Sequence, residues 1–178
     1  MKNKRLMGII GLIAAAVIGT AIYSATAGKD NKAASSNEKA KVGVLQLVSH
    51  PSLDLIYKGI QDGLAEEGYD KDKVDIDFLN AEGDQNKVAT MSKQLVDKDN
   101  QVLIGIATPS AQGLASATKD KPIVMGAVTD PVGANLVKDL KKPGGNITGV
   151  SDHNPTEQQL KLIKELTPNV KTIGALYS

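Results

Sequence analysis

From Lys41 onward, apolar runs alternate with amphipathic stretches. Residues 42–48 (VGVLQLV) are almost continuously apolar; Leu53, Ile56, Ile60 and Leu64 then recur at helical spacing until Gly68 closes the segment. Residues 74–79 (VDIDFL) alternate apolar and acidic positions, the pattern of a half-exposed edge strand. Asp84 stands where a helix cap belongs, ahead of Val88, Met91, Leu95 and Val96 on one face. The run QVLIGIA predicts a third strand, followed by a small-residue helix to about Lys119, and residues 122–128 (PIVMGAV) predict a fourth. A long segment punctuated by glycine and proline leads to ITGV, a fifth strand, and then to a helix over 156–166. The closing KTIGALYS reads as a sixth, buried strand.

Strands that alternate with helices of this length imply a parallel sheet covered on both faces and joined by right-handed crossovers. The predicted fold is a doubly wound α/β domain. A parallel strand hands on to a crossover connection. The final strand therefore reads as the start of a second lobe at 171–178, with the first lobe over 41–170.

The first 27 residues have a different character. Lys2, Lys4 and Arg5 precede an uncharged stretch over 6–27 that ends in small residues. This is the pattern of a secretion signal, and at 22 residues it is also long enough for a membrane anchor. The basic flank stays inside, so everything after Ala27 is expected outside the cytoplasmic membrane. Residues 28–40, polar and charged, read as a flexible tether. Without the basic flank, 18 bases face 20 acids, a net charge of about −2 that argues against a nucleic-acid partner. Cysteine is absent, which removes disulfides, thiolate metal sites, cysteine nucleophiles and a lipid-bearing cysteine.

In open parallel sheets, ligands bind outside the carboxyl ends of the strands. Those ends carry Gln46, Ser49 and His50; Asn80, Glu82 and Asp84; Thr108 and Ser110; Thr129 and Asp130; and Ser151, Asp152 and His153. Each Ser, Thr or Asp has a second reading as a helix cap or turn former. His50 has no spaced partner that would complete a metal site, and Tyr57 and Phe78 read as packing residues. No phosphate-binding glycine loop, nucleophile elbow or dinucleotide fingerprint occurs, and nothing calls for a cofactor. Pro109 suits the first turn of a helix, where its missing N–H costs nothing. Thr108 and Ser110 would then frame the free N–H groups of that turn with outward-facing hydroxyls, an end that attracts a carboxylate or phosphate. Asp130 is expected to face the cleft and pair with a ligand ammonium, with a turn-forming role as its second reading.

These residues carry a resemblance. LQLVSHPSLDLIYKGIQDGLAEEGY, NAEGDQNKVATMSKQLV, IATPSAQGLA, VTDPVGANLVKDLKKPGGNITGVSD and PTEQQLKLIKELTPNVKTIGALYS, in that order, resemble the substrate-binding proteins of ABC importers, in the tryptophan or aromatic-amino-acid group. The resemblance implies two doubly wound lobes of the periplasmic-binding-protein type. They close on a small amino-acid ligand and deliver it to a membrane permease. Carried over by position, the cleft would be lined by Gln46, His50 and Pro51; by Thr108, Pro109 and Ser110; by Thr129, Asp130 and Pro131; and by Ser151 and Asp152. The chain departs from the pattern in lacking the lipid-bearing cysteine and in stopping where the second lobe should begin. Two further readings compete: an exported α/β enzyme acting on a small anionic substrate, which would need a nucleophile and a base paired across the same rim, and a sensory domain on a membrane tether.

Overall fold

Five of the six predicted strands form one sheet. The computed structural model describes residues 39–175. Strands β1 (Ala40–Gln46), β2 (Val74–Asn80), β3 (Val102–Ile106), β4 (Ile123–Gly126) and β5 (Ile147–Val150) alternate with helices α1 (Pro51–Glu66), α2 (Gln85–Asp97), α3 (Thr108–Ala117) and α4 (Thr156–Leu166), with no helix between β4 and β5. All strands pair parallel in the order β2-β1-β3-β4-β5. The acid-alternating β2 is an edge strand, as its pattern predicts, and ITGV forms the other edge.

Alternation along the strands divides the core into two layers. Val42 and Val44 of β1 join Ile104 and Ile106 of β3 against α1, through Leu53, Ile56, Ile60 and Leu64. Tyr57 and Phe78 belong to this layer and lie against each other, ring centroids 4.2 Å apart, so they are packing residues as expected. Burial raises the Tyr57 phenol above its ordinary pKa. Leu45 and Leu103 face the opposite way, against Val88 and Leu95 of α2 and Ala111 and Leu114 of α3. The irregular segment between β4 and β5 closes this second layer with Leu136 and Val137.

Local signals in the sequence explain the helix ends. Asp84 caps α2, its carboxylate accepting from the Asn86 N–H at 2.7 Å and the Lys87 N–H at 3.4 Å. Gly68 follows α1 with φ +86°, a conformation in which a side chain would be strained. Two boundaries differ from expectation. The strand starts at Ala40, inside the stretch read as tether, because Ala40 pairs with Val74. Residues 171–175 form no strand and are exposed, with Ile173 at 46% exposure, because nothing described lies beside them to complete a ladder. The export segment and most of the tether lie outside the described residues. No helix among the described residues is long and apolar enough to cross a membrane.

Candidate functional site

The chain passes from β1 outward to β2 and then back across β1 to β3, so the strand order reverses between β1 and β3. Helix α1 covers one face there, whereas α2 and α3 cover the other. Adjacent connections therefore leave the sheet toward opposite faces, opening a crevice at the carboxyl edge. The loop after β1 and the start of α3 flank it.

Helix α3 begins directly on the sheet. An added Cβ at Gly105 of β3 would stand 2.7 Å from both the Cα and the N of Ala111. Only glycine allows this approach, which brings the first turn of α3 down onto the strand. Ala107 is the N-cap, with φ 75° and ψ 157° and no side-chain cap hydrogen bond. This backbone region is essentially restricted to glycine, and such strain concentrates where ligands are held. Ala127, at the end of the neighbouring β4, also has positive φ, and the Ala107 N–H donates to the Gly126 carbonyl at 2.9 Å. Thr108 and Ser110 thus lie inside the first turn and do not cap it. Their N–H groups have no partner within the helix, and Pro109 has none to leave unpaired. The Ser110 hydroxyl departs from expectation. It is fully buried by the close seating of α3, with no hydrogen-bond partner among the described residues.

At the end of β1, Gln46 is also enclosed. Its parity points it to the α1 layer, where Nε2 donates to the Val48 carbonyl at 3.0 Å and to Asp54 Oδ1 at 2.7 Å, leaving Oε1 buried without a partner. Ser49 Oγ lies 3.3 Å from Asp54 Oδ2. His50 is the N-cap of α1, Nδ1 accepting from the Ser52 N–H at 3.2 Å, and Pro51 opens the helix. Asp54 was missed by sequence reasoning. It lies in the first turn of α1, eight residues beyond Gln46, and only the turn between β1 and α1 brings it back to the strand end.

The remaining edge residues divide by task. Asn80 Oδ1 accepts from the Glu82 N–H at 2.8 Å, and Glu82 pairs with Lys87. The hydrogen bond from Lys87 holds the Glu82 carboxyl below its ordinary pKa and raises the Lys87 ammonium in return. Asp130 makes a turn, Oδ1 accepting from the Gly133 N–H at 2.9 Å, followed by a buried Pro131; Thr129 is exposed. Ser151 Oγ donates to the Thr129 carbonyl at 3.1 Å and accepts from the His153 N–H at 3.1 Å, which ties β5 to β4. Asp152 is exposed beside it. The structure therefore brings Gln46, His50 and Pro51 together with Thr108, Pro109 and Ser110 at the reversal point. Thr129, Asp130, Pro131, Ser151 and Asp152 lie farther along the same edge. Among the described residues, no cluster of His, Cys, Asp or Glu is arranged to hold a metal. An apolar groove of about 380 Å³ runs along α1 beside β4 and β5, and only Ser151 and Asp152 at its end belong to the polar edge.

Residues 41–178 match the profile of the family described as ABC transporter substrate binding protein. The chain belongs to this family. A curated relative, the tyrosine-binding protein of Clostridioides difficile (strain R20291), is 42% identical over all of this chain and 53% of its own length. A solved structure from Streptococcus pneumoniae, an ABC domain in complex with L-Trp, is 78% identical with a TM-score of 0.76, over 79% of this chain and 48% of that one. A conserved domain protein from Vibrio cholerae is 50% identical with a TM-score of 0.73, over 75% of this chain and 46% of that one. The chain thus spans about half the length of these relatives and has the same periplasmic-binding-protein-like α/β fold.

Proposed function

We propose that this lobe forms half of an extracytoplasmic binding protein that captures an aromatic amino acid and presents it to an ABC permease. The observation that carries the reading is the L-Trp complex of a protein 78% identical to this chain. The geometry of the edge suits that ligand class. Free N–H groups at the start of α3 offer a site for the carboxylate, and the reversal of strand order between β1 and β3 is where open parallel sheets receive ligands. The other half of the cleft would come from a second lobe, and the uncharged segment over 6–27 would export or tether the protein. The relatives are binding proteins, which favours capture over the enzyme reading.

Calorimetric titration with L-Trp, L-Tyr and L-Leu tests this, in the chain as it stands and in the chain completed with the second half of its S. pneumoniae relative. We expect the completed protein to bind L-Trp or L-Tyr and to discriminate against L-Leu. Ligand at 100 times its Kd should add about 2.7 kcal/mol of stability. A completed protein indifferent to both aromatic amino acids would contradict the proposal.

A further inference from the structure

The amino edge of the sheet, opposite the candidate ligand edge, carries a charge cluster of its own. The connections that lead into β4 and β5 hold five lysines and two aspartates: Lys119, Asp120 and Lys121, then Lys138, Asp139, Lys141 and Lys142. The exported part of the chain is net negative, so this cluster runs against the charge of the rest. Two of the lysines are already engaged. Lys119 Nζ donates to the Ala115 carbonyl at 2.5 Å, and Lys121 Nζ to the carbonyls of Lys98 and Asn100 at 2.8 and 2.9 Å. Lys138, Lys141 and Lys142 are exposed, and no ion pair among the described residues includes them. The loop that presents them is held together by its own hydrogen bonds. The Lys138 N–H donates to the Pro143 carbonyl at 3.1 Å, and Asp139 Oδ1 accepts from the N–H groups of Lys141 at 2.8 Å and Lys142 at 2.9 Å. Asn146 Nδ2 ties the end of the loop to the Lys121 carbonyl at 2.8 Å. Leu140, between the lysines, is 63% exposed. An apolar side chain inside a basic collar suits an anionic lipid surface: the ammonium groups pair with phosphates, and the leucine enters the boundary beneath them.

We propose that residues 138–142 form a contact for the anionic lipid headgroups of the membrane that holds the chain. The inference rests on the tether reading above and goes beyond it by naming the face of the lobe that meets the bilayer. The point at which the chain enters the lobe favours a lipid surface over a protein partner. Residues 28–39 join the uncharged segment over 6–27 to β1, which begins at Ala40 on the amino edge. A flexible chain of about 12 residues spans roughly 20 Å. Ala40 and Ile147 begin β1 and β5, which stand three strands apart in the sheet, or about 14 Å. A bilayer that anchors residues 6–27 therefore lies within reach of the loop. Tethering makes the encounter intramolecular, so three individually weak charge contacts are enough to populate it. The cleft reading puts the second lobe at the carboxyl edge, which leaves this loop uncovered.

The competing role for these lysines is solvation alone. The chain has no cysteine, so one introduced cysteine carries one fluorophore. Gly145→Cys labels the loop where an added Cβ meets nothing within 4 Å, and Gln85→Cys, exposed at the start of α2, labels the opposite edge. Each labelled full chain is reconstituted into vesicles that contain a headgroup-linked acceptor lipid, made either of phosphatidylglycerol and phosphatidylcholine in equal parts or of phosphatidylcholine alone, and energy transfer is read. In the anionic vesicles, transfer from position 145 is expected to exceed that from position 85, and high salt should abolish the difference in the otherwise unaltered chain. Combining Lys138→Glu, Lys141→Glu and Lys142→Glu should lower the contact equilibrium on the order of a hundredfold, at about fivefold per lysine, and bring the transfer down to its value in phosphatidylcholine. Transfer from position 145 no greater than from position 85, equal transfer in both kinds of vesicle, or transfer unmoved by salt and by charge reversal would reduce the lysines to solvating residues and overturn the assignment. A chain that fails to float with either kind of vesicle would refute the tether reading itself, and this contact with it.

Discussion

Gly105→Ala should destabilise the lobe by about 3 kcal/mol and disable its ligand site together. The added methyl would press on the Ala111 Cα and N, each at 2.7 Å, and on the Ser110 carbonyl carbon at 3.1 Å. These are backbone atoms of a helix turn, so no side-chain rotation relieves the contact; overpacking of this kind costs roughly 1–3 kcal/mol and occasionally more. The first turn of α3 must lift off β3, carrying Thr108, Pro109 and Ser110 with it. Urea unfolding should show the stability loss, and the circular-dichroism spectrum at low urea should retain the helix signal. A variant as stable as wild type would mean that α3 is not seated as closely as the structure has it. Gly59→Ala is the control, because its Cβ would meet nothing within 4 Å.

Ser110→Ala should move stability and affinity in opposite directions. The Ser110 hydroxyl is fully buried with no partner, and an unsatisfied buried polar group costs about 1–3 kcal/mol. Removing it should raise the Tm of the ligand-free protein by a few degrees, at roughly 2–8 °C per kcal/mol for domains near this size. If the hydroxyl finds its partner in a ligand carboxylate, the same change should weaken L-Trp about tenfold, since hydrogen bonds to charged groups are worth about 1.5–3 kcal/mol. A fall in Tm with unchanged affinity would show the hydroxyl to be structural. Such exchanges of stability for binding are common at functional sites.

The alternation of apolar runs and helical periods was enough to predict the parallel sheet, the edge position of β2, the span of α4 and the cap at Asp84. Each depends on local pattern or on a rule about parallel sheets. The features that shape the site depend instead on where the chain returns in space. Gln46 interrupts an apolar run and reads as a rim residue. It is buried because the turn after β1 brings Asp54 back over the strand end. The outward hydroxyl expected at Ser110 is enclosed because Gly105 lets α3 settle onto β3. Neither positive φ, at Ala107 or at Ala127, was legible, since alanine gives no local signal for that conformation. Residues 171–175 form no strand for a related reason: β-pattern shows what a segment can pair with, not which neighbour lies beside it.

The central claim is that the ligand head sits at the carboxyl edge between β1 and β3. A ¹⁵N-amide titration with L-Trp tests it most directly, on the chain as it stands at high ligand concentration and on the completed protein. The account predicts the largest shifts at Ser49 to Asp54 and at Ala107 to Ala111, with the groove along α1 beside β4 and β5 unmoved. Shifts centred on Ile60, Val124 and Val150 in that groove, or none at the edge when the completed protein is saturated, would contradict it.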